Sequence, residues 1–437
     1  MLFSRLLLGT ILLAGPALAE TKIAIIDSGV DYKHKDLAGL MWHDSGTDSE
    51  YPDDTNGWNF ADNNNQVIDY SYLGTFPADV PKYFAIQGKK LLGTATQEEL
   101  DWMTAHRADE AFVVKLETFG NFVHGTHVTG ISTDGNPNAR AIPIKMIATK
   151  PPGTLAALSV PPPDGANDFL IMFYLGIAAN NNLSLVAKTA VYADKKGAKV
   201  ANCSFGASVT ALKPTITNLL KQLNNGAEPT PEDVRKWTLY LLKQLNDGSD
   251  KFVGVAPNTL FVIASGNDGT NNDVDPAWPA NAQKVNTISV AATLGTQSLA
   301  TFSNYGEKMV DVAAPGVVIN STIPGDEHLE LSGTSMAAPF VTDAAGMVAD
   351  ANPALTPAQV KAALIGTVDK KDFLQGKVAS GGIVNKTRAV KAALLAAAMP
   401  LKDAIAQARL DVADIKATTF KKGAGDVVPV ALPNPIR

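Results

Sequence analysis

Cysteine is almost absent from this sequence of 437 residues, in which Cys203 stands alone. A single thiol cannot form an intrachain disulfide, so a disulfide framework is excluded and stability has to come from a buried core. Apolar residues make up 46% of the chain, which is ample material for one large domain or two ordinary ones. We therefore expect a globular protein that is stabilised by packing.

Long basic runs are also missing, and the formal net charge is −6. Nucleic acids and anionic membranes attract proteins that carry clustered Lys and Arg, so the composition argues against both classes of partner. We expect no nucleic-acid partner. The oligomeric state is not encoded in any pattern that we recognise.

The N-terminus contains a short apolar run. Arg5 is followed by mostly apolar residues 6–13, and Ala17-Leu18-Ala19 precedes Glu20. This order is typical of a secretory signal peptide cleaved after Ala19, whereas a buried core strand or helix is the alternative interpretation. The run is too short to anchor the chain in a bilayer, and no later stretch predicts a membrane span. We expect a secreted or periplasmic protein without a membrane anchor.

Strand-like and helix-like patterns alternate along the chain. Apolar, β-branched runs at residues 22–26, 198–203, 259–264 and 285–291 predict buried strands, and residues 183–196 predict a helix. Alternating strands and helices favour an α/β fold of three layers, with a mostly parallel central sheet covered by helices on both faces. Ligands of such sheets collect at the carboxyl ends of the strands.

Three stretches predict additions to this framework. Residues 41–75, rich in Asp, Asn, Gly and Tyr, predict surface loops, and residues 96–107 predict a helix that begins with a Thr96–Glu99 capping box. The segment Leu-Leu-Lys-Gln-Leu-Asn-Asn-Gly at 219–226 recurs with one change at 241–248, and each copy ends in a glycine suited to a helix C-cap. We expect a pair of amphipathic helices there, since two copies are too few for a solenoid.

A serine lies in a helix-start pattern. Residues 331–339 read Leu-Ser-Gly-Thr-Ser-Met-Ala-Ala-Pro, and Pro339 is compatible with a helix only in a first turn, where its missing N–H leaves no bond unmade. Ser335 is therefore predicted at a helix N-terminus, where free N–H groups favour a developing oxyanion. For this motif alone, an ordinary capped helix is an equal alternative.

Two histidines lie three residues apart in His124-Gly-Thr-His127. One is suited to act as a general base, because a hydroxyl becomes a good nucleophile only when a base takes its proton. The alternative is a metal site, which requires three or four ligands. The other histidines, His34, His43, His106 and His328, are scattered along the sequence, and we therefore favour the general base.

Asp27 ends the first predicted strand, and by itself it also fits a turn aspartate before Gly29. Taken together, Ile-Ile-Asp27-Ser-Gly-Val, His124-Gly-Thr-His-Val-Thr-Gly and Gly-Thr-Ser335-Met-Ala-Ala-Pro resemble the three signatures of the subtilisin family of serine peptidases, family S8. The resemblance implies that Asp27 orients His124, that His124 is the base and that Ser335 attacks. It implies a neighbouring structural role for His127.

The same resemblance extends to the oxyanion donor and the substrate strands. Phe261-Val-Ile-Ala-Ser-Gly-Asn267-Asp-Gly has the form of the segment that carries the family's side-chain oxyanion donor, so Asn267 is implied in that role. The implied walls of the first specificity pocket are Ser204, Phe205, Gly206 and Ala264, Ser265, Gly266, between which an extended peptide would add as a strand. Small walls suggest an apolar or aromatic side chain before the cut. Residues 302–306 and 311–316 resemble framework turns of the family.

Two rival interpretations remain. Cys203 beside Asn202 invites comparison with a thiol nucleophile, but it lies inside an apolar predicted strand, where an unreactive buried cysteine is far more common. A catalytically silent peptide-binding or scaffold protein would retain the fold, although lost sites usually lack a nucleophile or a base. The sequence therefore predicts a secreted serine endopeptidase that acts on proteins or peptides through an acyl-enzyme.

The chain departs from the family pattern in several places. We expect a signal peptide at 1–19, a peptidase domain at 20–395 with insertions near 41–118 and 207–252, and a C-terminal tail or extension at 396–437. Cleavage after Ala19 leaves no room for an inhibitory propeptide before Asp27. No cofactor is required. An acidic stretch contains Asp44, Asp48, Asp53, Asp54 and Asp62. These residues could bind a structural calcium ion through oxygen ligands, but they lack a recognisable ligand spacing. We therefore favour a solvated acidic loop.

Overall fold

A computed structural model describes residues 20–150 and 168–415. The predicted signal peptide and the end of the predicted extension lie outside the described residues. The strands, in chain order, are β1 (Thr21–Asp27), β2 (Trp58–Asn59), β3 (Ala139–Lys145), β4 (Val200–Cys203), β5 (Leu260–Ala264), β6 (Thr287–Leu294), β7 (Ser298–Leu299), β8 (Val312–Pro315), β9 (Ile319–Ile323), β10 (Glu327–Leu331), β11 (Asp369–Lys370) and β12 (Gly382–Ile383).

The helices surround these strands. In chain order they are α1 (Asp79–Leu92), α2 (Gln97–Arg107), α3 (Glu110–Ser132), α4 (Asp168–Lys195), α5 (Val209–Leu223), α6 (Pro231–Asp247), α7 (Asp250–Val253), α8 (Thr334–Ala351), α9 (Pro357–Gly366), α10 (Lys386–Leu395) and α11 (Leu401–Asp411).

The main sheet has the strand order β11-β12-β8-β6-β5-β4-β1-β3-β2, with β7 paired to β6. Strand β1 pairs in parallel with both β3 and β4, and the parallel pairing continues through β5, β6 and β8 to β12. The short strands β7 and β11 pair in an antiparallel sense. The prediction of a mostly parallel sheet in an α/β fold is confirmed.

Alternation along β1 places apolar side chains on both faces of the sheet. Ala24 and Ile26 belong to a core cluster with residues of α4 to α7, whereas Ile23 and Ile25 pack with residues of α1 and α3. Helix α8 contacts β1, β4, β5, β6 and β8 on the second face, beside α3. Every residue of β1 except Lys22 is buried, as expected for a strand covered by helices on both sides.

Several predicted helices are confirmed. Helix α2 begins with the Thr96–Glu99 capping box, and the helical repeat forms α5 and α6, which pack against each other. Gly226, after α5, has the left-handed φ of 86° that a C-cap glycine serves, but Gly248 ends α6 with a φ of −81°. The second glycine is therefore not a left-handed cap.

Helix α4 begins fifteen residues earlier than predicted, at Asp168 instead of 183. By length and composition it is apolar enough to cross a membrane, so the prediction that no later stretch has this property was wrong; 39% of its most apolar window is buried. The helix contacts α6 and α7, and Ile171, Leu175 and Leu183 belong to the core. A packed core helix meets the same criterion, so the finding is weak support for a membrane span.

The acidic stretch is only partly a solvated loop, since Asp53 and Asp62 are exposed but the other three aspartates are held by lysines. Asp44 and Asp54 lie 2.7 and 2.9 Å from the Lys196 ammonium, and Asp48 lies 2.9 Å from that of Lys195. These ion pairs join the stretch to the end of α4, with Asp54 fully buried. The prediction overlooked the lysines because they are far away in the sequence.

Two further differences concern the last third of the chain. Residues 311–316 contain β8, a strand of the main sheet, so their interpretation as a framework turn was wrong. Helix α11 lies beyond the predicted domain boundary at 395 and packs on α10, with Ala404 and Ala408 fully buried. The described residues extend through residue 415.

Candidate active site

Asp27 and His124 meet at the carboxyl end of β1. The carboxylate Oδ1 of Asp27 lies 2.7 Å from Nδ1 of His124, and Asp27 is fully buried. The same oxygen accepts the backbone N–H of Ser28 at 2.7 Å. Because the carboxylate accepts a hydrogen bond from Nδ1–H, the neutral imidazole carries its lone pair on Nε2. His124 is therefore held in the tautomer that a general base requires.

Two glycines permit close backbone approaches beside this contact. A Cβ on Gly125 would lie 2.2 Å from the carbonyl oxygen of Gly29, and a Cβ on Gly29 would lie 2.1 Å from that of Val67. Gly29 also has a φ of 113°, which side chains disfavour. Gly125 therefore permits the approach of α3 to the segment after β1, and Gly29 permits the approach of the Val67 backbone to that segment.

Ser335 is the second residue of α8, in the turn whose N–H groups have no intrahelical acceptor. Its hydroxyl donates to the carbonyl of Ser204 at 3.2 Å, and its own carbonyl accepts the Ser204 hydroxyl at 2.9 Å. Pro339 lies in the second turn of α8, so its predicted place in the first turn was wrong. The helix tolerates the proline because Ser204 supplies the hydrogen bond that a residue-339 N–H would have donated.

Asn267 follows β5 and faces the same helix start. Its Oδ1 accepts both the backbone N–H of Thr334 at 2.8 Å and the Thr334 hydroxyl at 2.9 Å. Because both donors meet the amide oxygen, the Nδ2 group is directed away from Thr334. The Asn267 amide and the N–H groups at the start of α8 thus border one space.

That space is a pocket beside Ser335. The six residues predicted as its walls line it together with Asn267 and Ser335, and Ala277, Trp278 and Ala280 are further lining residues. Ala207 and Trp278 exchange backbone hydrogen bonds of 2.7 and 2.8 Å, which close one side. The predicted wall residues are Ser204, Phe205, Gly206, Ala264, Ser265 and Gly266. The lining is mostly small or apolar.

His127 is fully buried behind His124. Its Nε2 lies 3.1 and 2.9 Å from the carbonyl oxygens of Ile319 and Leu329, so it donates to the β9–β10 hairpin. Burial lowers the pKa of His127 to about 3, which keeps the ring neutral. The two histidines of the motif therefore have separate partners, and this arrangement gives no support to the alternative of a shared metal ion.

Cys203 is fully buried in β4, and burial raises the pKa of its thiol. A cysteine that acts as a thiolate nucleophile needs a lowered thiol pKa and access to the substrate. The arrangement therefore gives no support to the thiol alternative.

Two groups near the site were missed in the sequence. Lys145, at the end of β3, is paired with Asp27 across the sheet and is almost fully buried. The histidines described as scattered include two, His34 and His328, that lie side by side near Asp36. Neither group has a local sequence signal, because each depends on contacts between distant segments.

Comparisons with known proteins identify the family of this chain. The family model for the subtilase family matches residues 117–387, a range that contains His124, Asn267 and Ser335 but not Asp27. The chain belongs to the subtilase family. It is thereby a member of a family of serine-type endopeptidases.

Curated relatives of this subtilase include subtilisin Savinase of Lederbergia lenta, which is 30% identical over 54% of this chain and 67% of its own length. The alkaline protease of Shouchella clausii is 30% identical over 54% of this chain and 47% of its own length. The match thus spans about half of that relative. Thermitase of Thermoactinomyces vulgaris is 27% identical over 85% of this chain and 88% of its own length.

Proposed function

We propose that this subtilase is an endopeptidase that cleaves polypeptides through an acyl-enzyme on Ser335. The observation that carries the proposal is the buried 2.7 Å contact between Asp27 and His124, at the sheet edge where Ser335 and Asn267 border one pocket. A buried carboxylate fixes the histidine tautomer and stabilises the imidazolium that forms during catalysis.

In the first step the Ser335 hydroxyl turns from the carbonyl of Ser204 toward Nε2 of His124. Oγ bonds to the scissile carbonyl carbon while its proton passes to Nε2. The C–N bond then breaks, and the departing amine takes that proton from His124. Water then attacks the ester carbonyl carbon while His124 takes its proton. The bond from that carbon to Oγ breaks, His124 returns the proton to Oγ of Ser335, and the new carboxyl group is released.

The negative oxygen of each tetrahedral intermediate is stabilised by two donors in this proposal. One is Nδ2 of Asn267, and the other is the backbone N–H of Ser335 at the start of α8. The contacts of Thr334 with Oδ1 of Asn267 support the assignment, because they orient the amide before substrate arrives.

The substrate would bind as an extended strand between the segments 204–206 and 264–266. Ala264, Gly266 and Ala277 leave room for a side chain in the pocket, and the small or apolar lining favours an apolar or aromatic residue before the cut. A panel of peptides that differ only at this residue would measure the preference as kcat/KM.

We also propose secretion, which rests on the signal-peptide pattern before Glu20. N-terminal sequencing of the protein from the culture medium or periplasm should begin at Glu20. The mass of the same sample would show whether the C-terminal residues are retained.

The proposed chemistry is tested by a fluorophosphonate probe and by casein turnover. The folded protein should be labelled on Ser335, and Ser335→Ala should lose both labelling and turnover. A folded chain that neither reacts with the probe nor hydrolyses casein, yet still binds peptides, would be the silent scaffold instead. A Ser335→Ala variant with unchanged turnover would place the nucleophile elsewhere.

A further inference from the structure

Two histidines from segments that are distant in the sequence lie side by side in the fold. His34 lies in the segment that follows Asp27, and His328 lies in β10, which leads into α8 and Ser335. The two rings are 5.6 Å apart and nearly perpendicular. Asp36 lies next to both, so one ligand atom from each of these three residues falls within 4.8 Å of the others.

The buried histidine is oriented by the protein. His34 is fully buried, and its Nε2 lies 3.1 Å from the carbonyl oxygen of Glu327. The carbonyl can only accept, so the proton is on Nε2 and the lone pair is on Nδ1. Metal-binding histidines commonly donate their second nitrogen to a backbone carbonyl in this way, which fixes the tautomer and the ring orientation.

The Nδ1 side of His34 faces carboxylates. Oδ1 of Asp326 lies 4.0 Å from Nδ1, and Oδ2 of Asp36 lies 3.3 Å from Nε2 of His328. Ligands about 2.0–2.1 Å from a tetrahedral zinc ion lie about 3.3 Å from one another, which is the spacing of the Asp36–His328 pair. Asp36, Asp326 and His328 are all exposed. Oδ1 of Asp326 also accepts the backbone N–H of Lys35 at 2.7 Å, so Asp36 and His328 are the two side chains that would move to close the remaining gap.

We propose that His34, Asp36 and His328 bind a divalent transition-metal ion of the zinc class, with Asp326 or water as the fourth ligand. Imidazole nitrogen with carboxylate oxygen is a donor set suited to zinc, whereas calcium takes oxygen ligands alone. The site is separate from His124 and His127, which have partners of their own.

Binding requires one local exchange. The backbone N–H of Asp36 donates to Nδ1 of His34 at 3.2 Å, which is long for such a bond, and the metal would take this lone pair. The N–H that loses its acceptor belongs to an exposed residue. In return, the ion joins the segment after Asp27 to the strand before Ser335, so it stabilises the folded state by mass action.

The test uses the full chain with Ser335→Ala, which removes autolysis and makes the result independent of catalysis. Titration with Zn²⁺ by calorimetry should give one ion per chain, and the melting temperature should rise with Zn²⁺ but not with Ca²⁺. Added His328→Gln or Asp36→Asn, both at exposed positions, should each weaken zinc binding by at least about tenfold, since even indirect partners of a metal ligand contribute that much.

Two further variants keep the result specific to this site. His43→Gln changes an exposed histidine elsewhere and should bind Zn²⁺ like the parent. His124→Ala breaks the Asp27–His124 pair of the candidate active site, and this variant too should bind Zn²⁺ like the parent. The proposal is overturned if no binding occurs below about 1 mM, if His328→Gln binds as tightly as the parent, or if His124→Ala abolishes the binding.

Discussion

Ser204 and Ser335 exchange a pair of hydrogen bonds, in which the hydroxyl of each residue donates to the carbonyl of the other, at 2.9 and 3.2 Å. The first bond exists because Pro339 has no N–H to offer the Ser335 carbonyl four residues earlier. Asn202 in turn donates to the Ser204 hydroxyl at 2.9 Å. The position of the nucleophile therefore depends on a bond between the end of β4 and the start of α8.

This relationship predicts an energetic coupling between Ser204 and Pro339. Ser204→Ala leaves the residue-335 carbonyl without its donor and should lower the free energy of unfolding by about 1–3 kcal/mol. In a Pro339→Ala background, the new N–H of residue 339 can donate to that carbonyl, so the same change should cost less. Denaturant unfolding of the four combinations, each with Ser335→Ala, measures a coupling that we expect to be about 1 kcal/mol.

The matched control is Ser208→Ala in the same two backgrounds. Ser208 caps α5 by accepting the N–H of Ala211 and has no bond to residue 335, so its cost should not depend on Pro339. Additivity of Ser204→Ala and Pro339→Ala within about 0.5 kcal/mol would contradict the coupling.

Asn267→Ala should lower kcat by about 10²–10³ with little change in KM, the range known for this donor in subtilisin itself. The physical reason is that, in the proposed mechanism, its Nδ2 group would meet negative charge that develops only in the transition state. Asn267→Asp, which keeps an oxygen facing Thr334 but replaces the donor, should be at least as slow. Steady-state kinetics on a peptide substrate separates kcat from KM; a loss confined to KM would assign Asn267 to ground-state binding.

The four proposed catalytic residues stay predictions; each lies in a short signature segment, and the structure places Asp27 against His124 and Asn267 against the start of α8. Helices α2 and α9 were predictable because a capping box is a local pattern. Strand β8 was misread because Pro315 and Gly316 made its end look like a turn.

Features that depend on distant segments could not be predicted. The pairing of Asp54 with Lys196, the meeting of His34 with His328 and the burial of Lys145 beside Asp27 all arise from the order of strands in the sheet. Helix α4 was truncated in the prediction because Gly176 and three successive asparagines at 180–182 weaken its helical pattern. Tertiary packing on α6 and α7 overrides that weakness.

His127 predicts a loss of stability in mild acid. Its pKa is about 3 in the folded chain because of burial, and it returns to about 6.5 on unfolding, so the unfolded state binds the extra proton. The stability is present above pH 6.5 and is lost as the pH falls toward 3. At pH 5 the loss is about 2 kcal/mol relative to pH 8.

The measurement is denaturant unfolding of Ser335→Ala at pH 8 and pH 5, with and without His127→Gln. The glutamine variant should be less stable at pH 8, because its amide replaces a ring that bonds two carbonyls, but it should lose about 2 kcal/mol less on acidification. His43→Gln, at an exposed position, should leave the acid loss unchanged. Identical pH dependence in the His127→Gln variant would mean that His127 is not held neutral.

Lys145 predicts a shift in the pH profile of activity. Its ammonium donates to the carbonyls of Ser28 and Ile147 and to the hydroxyl of Thr149. Burial lowers its pKa to about 8, partly offset by the charges of Asp62, Asp27 and Asp69. Below pH 8 it is therefore a buried positive charge near Asp27, the carboxylate that contacts His124. Lys145→Gln keeps a donor but removes the charge, so the pKa on the acid limb of kcat/KM should rise by roughly half a unit. The control is Lys150→Met, which removes an exposed charge from the same strand end and should leave the acid limb of kcat/KM nearly unchanged. An unshifted acid limb in Lys145→Gln would instead show that Lys145 acts through its hydrogen bonds alone.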